Sequence, residues 1–254
     1  MRGASAAGVG AACHGAGLRR GKLGAVRILA LESSTDWLSI AVGDGTRWME
    51  RAERAGTRAS ERALPLAQAL LCDAGTTLRA LDGIAFGAGP GAFTGVRIAC
   101  GLAQGLALGA GLPVVGVASL MALAQAAWRT HRVQNVIACL DARMQEVYVA
   151  AYRRVGDRFE EVAPPRVAKP AAIEPLPGRW LGCGDGFAAH PSLADRLDLA
   201  SVQAALWPSA RSVAELALPR FLAGEGVDAA AAEPLYVRHR VALTTAERDA
   251  GLRL

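Results

Sequence analysis

The chain has 254 residues, 52% of them hydrophobic but only 5% aromatic, so Ala, Leu and Val must build most of one large or two small cores. Its formal net charge of +5 sits in the first 27 residues, where Arg2, Arg19, Arg20, Lys22 and Arg27 meet no acid; the remaining body is formally neutral and gives no sign of the clustered basic face that nucleic-acid phosphates need. No apolar run reaches the ~20 residues of a membrane span, and five scattered cysteines without C-x-x-C argue against a disulfide framework or a zinc knuckle, so a soluble, cytoplasmic chain is expected.

Residues 1–26 form a Gly/Ala-rich leader whose arginines follow its apolar stretch, the wrong order for a secretory signal, and are expected to be a disordered tail. A first lobe is predicted over 27–130. It opens with two apolar runs around SSTD, a GDG turn and a third short run, which together read as a β-meander. SERALPLAQALLCD (60–73) has helical spacing, with Ser60 as N-cap and Pro65 as a kink. GIAF (83–86) and PVVGV (113–117) read as short buried strands flanking a helix over 94–109, and SLMALAQAAWRTH (119–131) is a further helix that leaves His131 solvated at its end.

A second lobe is predicted over 131–230. VIACLDARMQEVYVAAYRR begins a second meander, and a shift of 109 residues superposes Ile28 on Ile137, Leu31 on Leu140, Glu32 on Asp141 and Ile40 on Val149. Both copies read strand, acid, turn, strand, the pattern of a duplicated α/β unit. The Pro-rich stretch 163–178 is expected to be a surface connection. LGCGDGF (181–187) reads as a strand ending in a Gly-rich turn, 209–224 as a helix, and 231–254 as an extended tail.

The glycine-rich stretch GAGPGAFTGVR (87–97) lacks the lysine of a Walker loop. It also fails G-x-G-x-x-G, since the third glycine would fall on Ala92 counting from Gly87 and on Thr94 counting from Gly89. Amides near Gly89, Gly91 and Thr94 at the start of the helix remain an anion-proximal set through the helix dipole. Further along, Gly101, Gly105 and Gly109 recur every four residues. Each costs about 1 kcal/mol against alanine, so the stripe implies close backbone approach by another element, either in the chain or on a partner. Glu32 and Asp141 at strand ends either hold Mg²⁺ through water or cap their turns. The four histidines show no H-x-x-x-H or H-E-x-x-H, and no catalytic set is complete.

ILALESST (28–35), the stretch from Gly87 to Ala124, LDARMQEVYVAAY (140–152) and PLYVR (234–238) together resemble the bacterial TsaB (YeaZ) family of tRNA threonylcarbamoyladenosine biosynthesis proteins, over residues 27 to about 248. The resemblance implies an α/β, actin-like (ribonuclease-H-derived) duplicated fold of two lobes. It implies a non-catalytic partner of the transferase TsaD, working with TsaE on N6 of adenosine 37 in tRNAs that read codons beginning with A. It further implies a homodimer when TsaD is absent, contact with tRNA only through the complex, and no resident cofactor or metal, with ATP or ADP at the complex interface. The partner-binding set is expected to be Ser60, Leu64, Leu71, Arg97, Gly101, Gly105 and Gly109, and the nucleotide-proximal set Glu32, Gly89, Gly91, Thr94 and Asp141. The sequence departs from the family at Glu32 (usually Asp), Ala59 (often His), Ala92 (commonly Ser) and His239 (commonly Asp). An independent actin-like ATPase or kinase is the alternative, and a glycoprotease-type metallopeptidase a weaker one.

Overall fold

A computed structural model describes residues 26–238; the leader expectation for 1–25 and the tail beyond Arg238, His239 included, lie outside the described residues. The first meander forms as β1 (Ile28–Glu32), β2 (Trp37–Gly43) and β3 (Trp48–Arg54). A 3₁₀ turn at Gly56–Arg58 then leads into helix α1 (Ala59–Asp73). The helix begins one residue before Ser60, and Arg58 stands at the N-cap with no side-chain bond. Ser60 is therefore not the cap, because the 3₁₀ turn already takes up the first N–H groups. Pro65 lies inside α1 without ending it.

β4 (Gly83–Gly89), α2 (Phe93–Ala110), β5 (Val114–Ala118) and α3 (Ser119–His131) follow. The second meander is β6 (Asn135–Asp141), β7 (Val147–Val155) and β8 (Arg158–Ala168). The first part of the expected Pro-rich connection, 163–168, is thus strand. β8 lies at the edge of its sheet, where Pro164 and Pro165 sacrifice no central ladder bond. β9 (Leu181–Cys183), the short helices α4 (Gly186–Ala189) and α5 (Ser192–Arg196), β10 (Ser201–Gln203) and α6 (Ala210–Leu222) complete the described chain.

Two five-stranded sheets result, ordered β3-β2-β1-β4-β5 and β8-β7-β6-β9-β10. In each, the meander is antiparallel and the last two strands join in parallel. The 109-residue repeat is therefore a repeat of topology, with β1 and β6 at its two centres. Both faces of each sheet are covered, which explains the short, continuous apolar runs. Leu29, Leu31, Leu38 and Ile40 pack outward under α1 and α2, while Ile28, Ala30, Ala41 and Ala85 face Val213, Ala217 and Phe221 of α6. In the second sheet, Val136, Ala138 and Tyr152 pack on Leu120 and Leu123 of α3, and Ile137, Cys139 and Val149 face Trp180, Phe187 and Leu193.

Helix α6 departs from the expected division at residue 131. It follows the second sheet in sequence but returns to the first. Its N-terminus is anchored there: Ala210 N–H donates to Ser39 Oγ at 2.7 Å and Arg211 N–H to Glu50 Oε1 at 2.9 Å. Ser209 caps the helix by accepting from Ser212 N–H. These bonds satisfy donors that a helix start otherwise leaves open. The middle of the molecule is thus sheet, α6, α3, sheet, and a division by sequence does not follow the packing.

Candidate functional site

On α2, Ala99, Ala103 and Ala107 are buried against the first sheet. Two residues further along the helix is about 200° around it, so Gly101, Gly105 and Gly109 fall on the opposite side. A Cβ added at any of the three meets nothing within 4 Å. Among the described residues no element approaches the stripe, so the intrachain close approach that the glycines could have served is not made there. The same four-residue spacing carries it back through Arg97 to Phe93. Phe93 is 51% exposed, Leu108 beside the stripe 75%, and Leu64 on the neighbouring α1 41%. Ser60 is exposed, whereas Leu71 turns into the core beneath α1 and belongs to no exposed face. Phe93 and Leu108 were missed from the sequence; the buried alanine register is the signal that marks them as outward.

Among the described residues α2 is also the one helix that, by length and composition only, could cross a membrane; its 18 residues stay short of the ~20 of a full span. Its apolarity serves the sheet and α1 on one side and the exposed stripe on the other.

The glycine-rich loop preceding α2 is locked to the β1–β2 turn. A Cβ at Gly91 would collide with Ser34 O and one at Gly95 with Ser33 O. Ala92 N–H donates to Ser34 O at 2.7 Å, Gly89 N–H to Ser119 Oγ at 3.2 Å, and Ser33 Oγ donates to Gly95 O at 2.8 Å. The amides of Gly89 and Ala92 are thus directed into the protein rather than towards an anion, and the glycines permit backbone to meet backbone. Thr94 is exposed beyond this contact.

The two strand-end acids fare differently. Glu32 is 1% exposed; it accepts from Ser34 N–H at 2.6 Å and from Ser119 Oγ at 2.9 Å. Gly87 faces it, and a side chain there would displace the carboxylate. Burial pushes the Glu32 carboxyl up, partly offset by the bonds from Ser34 and Ser119. Asp141 stays at a cleft rim, accepts from Arg143 N–H at 2.9 Å and pairs with the Arg143 guanidinium at 3.0 Å. Each accepts from the amide two residues on, so both cap their turns, and Glu32 is closed to any ligand. Among the described residues no group of three or more His, Cys, Asp or Glu side chains is arranged to hold a metal ion.

Between the lobes lies a cleft of about 500 Å³. The β1–β2 turn, the start of α2, the β6–β7 turn and residues 235–238 supply its walls; Gly91 and Asp141 line it, whereas Glu32, Gly89 and Thr94 do not. Asp185 reaches the same cleft, with its carboxyl pushed up by burial, while its Oδ1 accepts from Asp141 N–H at 3.0 Å.

Two sheets of one topology, back to back across α6 and α3 and enclosing a cleft, define a duplicated actin-like α/β protein. Residues 52–191 match the family model described as TsaD: tRNA N6-adenosine threonylcarbamoyltransferase. The tRNA threonylcarbamoyladenosine biosynthesis protein TsaB of Escherichia coli is 38% identical over 85% of this chain and 96% of its own. That of Haemophilus influenzae is 38% identical over 84% and 94%. The solved structure of YeaZ from Pseudomonas aeruginosa superposes with a TM-score of 0.78 at 37% identity, covering 83% of this chain and 99% of that one. The chain belongs to the TsaB family of tRNA threonylcarbamoyladenosine biosynthesis proteins.

Proposed function

We propose that this chain is the non-catalytic partner subunit of TsaD, required for threonylcarbamoylation of N6 of adenosine 37 in tRNAs that read codons beginning with A. It works in the cytoplasm with TsaD and TsaE, pairs with a second copy when TsaD is absent, and meets tRNA only through the complex. It holds no resident cofactor, and ATP or ADP binds at the interface with TsaD. The observation that carries this reading is the stripe of Gly101, Gly105 and Gly109 with open space above it and apolar side chains beside it. Helix glycines that none of the described residues packs against are explained by a partner helix packing directly on the backbone. The alternative of an independent ATPase loses its first candidate acid, because Glu32 is sealed in the core.

Gly105→Leu tests the proposal. With open space at the site and a better helix former in place, the variant melts at or slightly above the parent temperature. Overpacking a close helix crossing costs about 1–3 kcal/mol, so affinity for TsaD falls roughly ten- to a hundredfold. tRNA modification reconstituted with TsaD and TsaE falls with it. Parent-like TsaD binding by the folded variant refutes the stripe as the docking face.

A further inference from the structure

Residues 234–238 have no regular secondary structure, yet they cross from one lobe to the other. On the first lobe, Leu235 N–H donates to Ala88 O at 2.7 Å. Arg97 Nε donates to the Tyr236 hydroxyl at 3.0 Å, with its guanidinium carbon 3.7 Å from the centre of the Phe93 ring. On the second lobe, Arg238 donates to Ala142 O at 3.0 Å and to Glu146 Oε2 at 2.8 Å, and its side chain is only 14% exposed.

The turn that Arg238 grips is an unfavourable one. Arg143, Met144 and Gln145 have φ of 61°, 55° and 61°, three consecutive non-glycine residues in the left-handed region. Such a run persists only where its surroundings over-determine it. The guanidinium does so by joining the two ends of the turn through one nitrogen, Nη2, which donates to both the carbonyl of Ala142 and the carboxylate of Glu146.

We infer that residues 234–238 are an inter-lobe latch, in which Arg238 locks the 142–146 turn and Tyr236 is held by Arg97 at the head of the exposed glycine stripe, so that engagement of the stripe and closure of the cleft are coupled. Arg97 falls on the same face of α2 as Gly101, Gly105 and Gly109. A partner acid or carbonyl that takes the Arg97 guanidinium releases Tyr236, and the latch, which also walls the cleft, loosens on the second lobe. The latch stands on intrachain bonds alone; its coupling to a partner rests on the docking role proposed above.

Hydrogen exchange of the full chain tests it, first without any partner. In Arg238→Ala the amides of 142–146 exchange at least tenfold faster while those of β1 and β6 are unchanged. Unchanged exchange at 142–146 overturns the latch. Tyr236→Phe removes only the hydroxyl held by Arg97 and is expected to fold; it accelerates exchange at 142–146 by a smaller, several-fold factor. An effect confined to residues around 97 and 236 overturns the coupling, whether or not the Arg238 variant folds. Saturating TsaD then accelerates exchange at 142–146 in the parent, and TsaD binding that leaves the turn unchanged overturns the partner link alone. Should Gly105→Leu bind TsaD normally, the docking face fails, while the two partner-free measurements still decide the latch.

Discussion

The two lobes share a strand order and differ in what covers it. On the outside of the first sheet lie α1 and α2, with 15 and 18 residues. At the corresponding place on the second sheet are α4 and α5, with 4 and 5, and the loop that carries Ile173 and Trp180. A long helix has enough surface to bury one face and still present another, whereas a helix of one turn spends its apolar residues on the sheet. The first lobe is therefore the one with a continuous exposed helix face, and the second contributes a rim and a turn to the cleft. Duplication preserved the sheets because their central strands, β1 and β4 in one and β6 and β9 in the other, are buried on both sides; the outer layer was free to diverge.

The sharpest way to break this comparison is at α6, which by sequence belongs with the second lobe. Phe221 is 0% exposed, and its ring occupies the space that a side chain at Gly83 would need. Phe221→Ala should destabilise the protein by about 3–5 kcal/mol, measured by urea unfolding. A loss under about 1 kcal/mol would show that α6 is not part of the first core. Next come the outer layers themselves. Leu70 in α1 and Leu193 in α5 are both 1% exposed. Truncation to alanine should cost about 3–4 kcal/mol at Leu70 and nearer 2 kcal/mol at Leu193, because a one-turn helix can settle into the cavity. Equal losses in matched unfolding curves would mean the short helices are as rigid as the long ones.

A smaller effect is expected at the α6 cap: Ser209→Ala removes the acceptor for Ser212 N–H and should cost about 1 kcal/mol in thermal or urea unfolding. No loss would leave the bonds from Ser39 and Glu50 as sufficient anchors.

The smallest effect is a trend with pH at Glu32. Its carboxyl lies above the usual 4.5 in the folded state, chiefly through burial. Below that pH the group is protonated folded and unfolded, and contributes nothing. As pH rises above 4.5 the unfolded chain ionises first, so the parent loses stability until the folded carboxyl ionises too. Glu32→Gln carries no titrating proton, so the melting temperature of the parent minus that of the variant should shrink between pH 4.5 and 7. A difference that grows with pH would mean the carboxylate is held ionised.

Local order was legible from the sequence by itself. Alternation, turn residues and helical spacing placed both meanders, β4 to α3, and α6, because those signals lie within a few residues of the structure they specify. The repeat was legible too, since β1 and β6 need matching apolar faces and a turn cap at the same position. Only the tertiary structure decided the rest. Helix α2 carries two small-residue stripes, alanines at 99, 103 and 107 and glycines at 101, 105 and 109, and either fits against a sheet by size; the register of the sheet beneath buries the alanines. Glu32 and Asp141 are equivalent in the repeat, yet Ser119, 87 residues from Glu32, seals one while the other stays at the rim. Pro164 and Pro165 read as a loop until an edge position makes them tolerable in a strand. α6 reaches its sheet through Ser39 and Glu50, 171 and 161 residues away. Each of these outcomes depends on a group distant in the chain, and no local period encodes which distant surface an amphipathic element will meet.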